Sequence, residues 1–167
     1  ETIDLPDAAE YYLQIPAVDA KLNIVGDDAT KVYITLVEDN SAVNGIELNI
    51  DTPSATVTVS KLGNPYVKNI TSRTAQNTLI LEGIVVGDIV VNGGNVILDN
   101  SIVEGSVTKG DHNQETTEVI LSNGSRIEGH ADDVTVVDIS TIDNVKKLQD
   151  AVDKLSKVIL DQDLTIS

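Results

Sequence analysis

The chain has 167 residues, 41% of them hydrophobic, with 27 acidic residues against 11 basic ones and a formal charge of −16. That length suits one domain with a sizeable core, alone or with an appendage, and the hydrophobic share excludes a disordered tail. The charge argues against nucleic acid, which needs clustered Lys and Arg, and against an anionic membrane surface; no apolar run nears the roughly 18 residues that span a bilayer.

Phe, Trp, Met and Cys are absent, and Tyr11, Tyr12, Tyr33 and Tyr66 are the only aromatic residues. The core is therefore built from Val, Ile, Leu and Ala, and the β-branched members of that set favour a pleated, buried surface. Repeated aliphatic layers suit stacked strands better than an irregular globule. Without cysteine there are no disulfides. The start at Glu1 without a methionine fits a mature or trimmed chain whose targeting segment has been removed, and because many bacterial exported proteins lack cysteine an extracellular or cell-surface location is expected.

Residues 1–20 (ETIDLPDAAEYYLQIPAVDA) read as a lead-in interrupted by Pro6 and Pro16. From Lys21 onward short alternating runs follow in steady succession: KLNIVG, KVYITLV, GIELNI, ATVTVS, TLILEGIVV, DIVVN, NVILD, SIVEGSV, EVILS, SRIEG and DVTVVDIS. Each is bounded by Gly, Asn, Asp or Pro, as strands are. The punctuation at Asn92-Gly93-Gly94-Asn95, Asp99-Asn100 and Asn123-Gly124 consists of residues that accept the left-handed conformation of a sharp corner.

The runs repeat. Val96-Ile97-Leu98 precedes Val119-Ile120-Leu121 by 23 positions and follows Leu79-Ile80-Leu81 by 17, while Glu104-Gly105 precedes Glu128-Gly129 by 24. A drifting period of this size, with about three short strands in each, is one coil of a parallel β-helix. A coil cannot bury its inward side chains alone, and stacking makes one continuous aliphatic column. Variation in coil length is absorbed in loops such as Lys109–Thr117. An antiparallel sandwich accommodates the same number of strands, but it requires no repeated phrase.

On the VIL-D/S-N coils, the GIVVGDIVVNGG segment and the Asn-rich corners, residues Lys21 to Ser140 resemble the right-handed parallel β-helix of the pectin-lyase-like superfold. Within it they resemble repeat-bearing bacterial surface and adhesin-like proteins. The resemblance specifies architecture more than activity, because that superfold hosts lyases, hydrolases, adhesins and phage spikes.

The C-terminal segment changes character. Ser140 and Asp143 form a capping box, and Val145, Leu148, Val152, Leu155 and Ile159 mark one helical face. Asp150–Lys154 and Asp153–Lys157 are favourable pairs on the opposite face. This amphipathic helix is expected to cap an open end of the solenoid and block edge pairing, with a short coiled coil as the alternative. VILDQDLTIS then reads as a terminal strand, which suggests that further coils could follow in a larger protein.

Chemistry-bearing residues are sparse. The lyase-like enzymes implied by the resemblance use carboxylates with calcium and a basic residue, or two or three carboxylates. Asp27-Asp28 and Asp132-Asp133 are adjacent, which in a strand sends the two side chains to opposite faces. Arg73 and Arg126 sit in no catalytic phrase. No catalytic or cofactor-binding residue is assigned, and no metal site. The nearest approach to one is His130 with Asp132 and Asp133, as a loose calcium-type site, against the reading that these, like His112, are solvated loop residues. For sugar stacking, Tyr66 in GNPYVKN is the candidate beside Tyr11-Tyr12, while Tyr12 or Tyr33 is expected to close the first coil.

The sequence thus predicts an all-β right-handed parallel β-helix (a solenoid) with a C-terminal amphipathic capping helix. Its divisions are a lead-in over 1–20, the β-helix over 21–140, and the helix with a terminal strand over 141–167. The predicted role is a non-catalytic extracellular structural or adhesive module of a bacterial surface protein, with a glycan or surface protein as partner. A glycan-binding or polysaccharide-degrading β-helix is the alternative.

Overall fold

The structure, a computed structural model, describes residues 1–5, 9–74, 78–111 and 116–139. In chain order the strands are β1 (Thr2–Asp4), β2 (Glu10–Pro16), β3 (Lys21–Val25), β4 (Lys31–Val37), β5 (Ile46–Thr52), β6 (Thr56–Leu62), β7 (Val67–Thr74) and β8 (Leu79–Glu82). They continue as β9 (Val85–Gly93), β10 (Val96–Asp99), β11 (Ile102–Val103), β12 (Val107–Lys109), β13 (Thr117–Ser122), β14 (Arg126–Ile127), β15 (Ala131–Asp132) and β16 (Val134–Asp138). The expected helix and terminal strand over 141–167, and His112, lie outside the described residues.

These strands form an all-β parallel solenoid of about six turns. A front sheet runs β1-β3-β5-β7-β9-β11-β14, with β12 and β15 beside it, and a back sheet runs β2-β4-β6-β8-β10-β13-β16. Among the described residues every pairing is parallel, and the repeated phrase stacks as its spacing requires. Val96, Ile97 and Leu98 lie between Leu79, Ile80, Leu81 on one side and Val119, Ile120, Leu121 on the other. An antiparallel sandwich is thereby excluded.

The interior is a set of aliphatic columns. On the back sheet, Tyr11, Val32, Val57, Leu79, Val96 and Val119 share one register position. On the front sheet, Leu22, Leu48, Ile70, Ile89 and Val107 share another. From the second coil inward these side chains are essentially buried. At roughly 25 cal/mol per Å², such columns are the main favourable term of the fold, and alternation along each strand produces them.

The segment read as a lead-in contributes strands of its own. β1 pairs with β3 and β2 with β4, because Tyr11, Leu13 and Ile15 alternate inward on the columns that later coils continue. Pro16 fits β2 because this is an edge strand, where a missing N–H costs no ladder bond. Tyr11 is the tyrosine that meets the interior, so the expectation that Tyr12 or Tyr33 closes the first coil is corrected. Alternation turns both outward, where their rings stack at 4.8 Å.

Two kinds of corner recur along the later coils, one joining the back sheet to the front sheet and one within the front sheet. In the later coils one corner carries Gly83, Asn100 and Asn123 at φ of 67°, 50° and 54°, stacked in the left-handed region. Beside them Ser101 and Ser125 are buried and fully engaged. The Ser101 hydroxyl accepts from the Ile84 amide at 3.0 Å and donates to the Leu81 carbonyl at 2.9 Å, and the Ser101 amide donates to the Ser125 hydroxyl at 2.9 Å. The other corner is a glycine staircase, in which the Gly129 amide donates to the Gly105 carbonyl and the Gly105 amide to that of Gly87. There the continuous strand β9 gives way to the split pairs β11/β12 and β14/β15.

Interior order lapses in one place. Among the described residues the buried hydroxyls of Thr52, Ser72 and Thr74 have no hydrogen-bond partner. Ser72 sits between Ile50 and Val91 in an otherwise aliphatic column, and Thr52 stacks on Thr74.

The staircase and the left-handed corner should respond differently to an added methyl group. A Cβ on Gly87 would fall on the Lys68 carbonyl, whereas one on Gly124 would meet nothing within 4 Å and suffer only from φ +78°. Gly87→Ala is expected to cost about 3 kcal/mol and Gly124→Ala about 1 kcal/mol, measured by denaturant unfolding.

Candidate functional site

The outward side chains of the front sheet form polar rows along the stack. Lys21, Glu47, Asn69 and Asp88 occupy one register position, and Asn23, Asn49, Thr71, Val90 and Thr108 the next but one. Together with Ser106 they line an open trough of about 770 Å³. The rows exist because each strand alternates. Leu22, Ile24, Leu48 and Ile50 point inward, so Asn23 and Asn49 must point out.

Within the rows, neighbours hold each other. The Asn49 amide donates to the Asn23 carbonyl oxygen at 3.1 Å, and the Asn69 amide donates to Glu47 Oε1 at 3.0 Å. Lys68 Nζ lies 4.0 Å from the same Glu47 oxygen. The Asn69 hydrogen bond, followed by the Lys68 charge, lowers the Glu47 pKa below its ordinary value. Asp88 accepts from the Ser106 amide at 2.9 Å. Glu47 and Asp88 stand two strand spacings apart, roughly 10 Å. A carboxylate held ionised is an acceptor, not a proton donor.

One rim of the trough is fixed by Asp19. Its carboxylate accepts the backbone amides of Val43, Asn44 and Gly45 at 2.8–3.0 Å, which closes the loop between β4 and β5 over the corner before Lys21. Those bonds, Val43 and Gly45 foremost, lower the Asp19 pKa. Gly45, at φ +91°, leaves room for the Tyr66 ring, which a side chain there would strike.

The residues singled out from the sequence are dispersed. Tyr66 is exposed and lies against Gly45 at the corner, outside the trough lining. His130 is exposed at the staircase corner, its amide donating to the Ser106 hydroxyl at 3.1 Å. Asp132 pairs in β15 and Asp133 follows in a left-handed turn. Among the described residues no three His, Cys, Asp or Glu side chains converge on a metal position. Arg73 forms an exposed pair with Asp51 at 3.5 Å, and Arg126 one with Glu128 at 3.1 Å. The trough residues were missed by motif reasoning, although one signal existed: Leu22-Asn23-Ile24 and Leu48-Asn49-Ile50 repeat the same phrase.

Because the folded pKa of Asp19 lies below its unfolded value, its contribution is complete above about pH 4 and is lost as pH falls through the folded pKa. Asp19→Ala should lower hydrogen-exchange protection of Val43, Asn44 and Gly45 by about tenfold at neutral pH. It should also flatten the acid-side fall in melting temperature relative to the unaltered chain. No protein-family model, curated protein or solved structure matches this chain.

Proposed function

We propose that this chain is a non-catalytic structural or adhesive module of a bacterial surface protein, displayed outside the cell, with the polar trough of the front sheet as its contact face. The observation that carries this reading is the way the trough's side chains are engaged. Asn23 with Asn49, and Glu47 with Asn69, bond along the stack, so donors and acceptors form an extended, prearranged surface instead of converging on one point. Prearranged polar rows reduce the ordering cost of binding a long polar partner, a glycan or another surface protein. The aliphatic interior and acidic exterior suit a soluble, self-supporting spacer.

A second reading, a glycan-binding or polysaccharide-degrading β-helix, draws on the breadth of the same trough, which is open across several coils. The readings separate on arrays of glycans and matrix proteins combined with turnover assays on polyuronates with calcium. The adhesive reading expects binding without turnover, reduced about tenfold or more in Asn49→Ala/Asn69→Ala. Turnover would replace it with the enzyme reading, and an array without binders would leave the spacer alone.

A further inference from the structure

The chain contains three Asn–Gly pairs, Asn44-Gly45, Asn92-Gly93 and Asn123-Gly124. In this dipeptide the second residue has no side chain, so its backbone nitrogen can reach the asparagine's side-chain carbonyl carbon. Whether it does so depends on how firmly the fold holds the peptide between them. The three pairs are held very unequally.

At the first pair the Asn44 and Gly45 amides both donate to Asp19 Oδ1 at 2.8 Å. Gly45 is also buried against the Tyr66 ring, so its nitrogen cannot move without breaking the loop apart. The second pair lies half-buried in β9. Gly93 is in register with Arg73 of β7, and the Asn92 side chain occupies the space that a Cβ on Gly110 would need.

The third pair is the turn between β13 and β14, and both of its residues are exposed. A Cβ on Gly124 would meet nothing within 4 Å, and among the described residues no acceptor takes the Gly124 amide. Asn123 sits at φ +54°, a conformation that costs a residue with a side chain, so the turn offers little resistance to opening. The Asn123 side chain donates to Asp99 Oδ1 at 2.6 Å, which steadies the carboxamide and leaves the Gly124 nitrogen unheld.

We propose that Asn123-Gly124 is a site of spontaneous covalent modification, while Asp19 protects Asn44-Gly45 and strand pairing protects Asn92-Gly93. The Gly124 nitrogen bonds to Asn123 Cγ, the Cγ–Nδ2 bond breaks, and the amide proton leaves with the side-chain nitrogen as ammonia. Solvent water then opens the cyclic imide at one carbonyl or the other, giving isoaspartate or aspartate. Neither step involves oxidation or reduction. Either product replaces the donor facing Asp99 with a carboxylate, and isoaspartate adds a backbone carbon to the corner that Asn123 shares with Asn100 and Gly83.

The full chain, incubated in mildly alkaline buffer with and without denaturant, is sampled by peptide mass mapping and by enzymatic labelling of isoaspartate. In the folded chain Asn123 is expected to convert about tenfold or more faster than Asn44 or Asn92, and in denaturant the three rates should converge. Asn44 or Asn92 keeping pace in the folded chain would overturn the proposal. So would an Asn123 that stays intact over the time that converts the denatured chain. Asp19→Ala is expected to speed Asn44 about tenfold and leave Asn123 unchanged; an unchanged Asn44 would refute the protective role of Asp19. Gly124→Ala should slow Asn123 strongly, because the added methyl hinders the attacking nitrogen. Undiminished conversion in that variant would mean direct hydrolysis of the side chain, and would overturn the cyclic route.

Discussion

Parallel, in-register stacking at roughly 4.8 Å is the constraint from which the rest of this molecule follows. Each residue of a coil must sit directly above its counterpart in the previous one, so each position around the coil becomes a column of similar chemistry. Inward positions become continuous aliphatic files, for which Val, Ile and Leu suffice because every layer has the same shape as its neighbours. Outward positions become rows, and polar residues in a row satisfy each other with the bonds seen between Asn23 and Asn49. Corners become columns too, which is why left-handed residues stack three deep at Gly83, Asn100 and Asn123.

The same constraint explains what could be read in advance. Where coils repeat a phrase, as at Val96-Ile97-Leu98 and Val119-Ile120-Leu121, the register is legible in the letters and the structure has the pairing they require. The Asn and Gly corners were legible for the same reason, since few residues adopt their backbone geometry. The early coils share alternation but little wording. β2 was hidden because Pro6 and Pro16 resemble interruptions, while the alternation of Tyr11, Leu13 and Ile15 carries its register. Which of two adjacent tyrosines points inward depends on register alone, and a single-residue slip exchanges the faces.

The candidate site was much less legible. Motif reasoning looks for convergence: three ligands, two carboxylates, a nucleophile with its base. The front sheet assembles its polar surface from one or two residues per strand, separated by 18 to 26 positions and aligned only by stacking. Residues such as Glu47 and Asn69 carry no local signature, and their pairing depends on a register shift between Ile46 and Glu47 that passes over Lys68. Tyr66 and His130 stand out by residue type, and neither is among the residues that line the trough.

The unpartnered hydroxyls of Thr52, Ser72 and Thr74 give the stack an inhomogeneity with a mechanical meaning. In a quasi-one-dimensional array each layer is held only by the layers above and below it, so cohesion is set locally and does not average over the whole. The layer around Ser72 places a buried, unpartnered hydroxyl where its column neighbours Ile50 and Val91 carry aliphatic side chains. The desolvated hydroxyl at Ser72 therefore subtracts from the cohesion between the coils on either side of it, and no other layer makes good that loss.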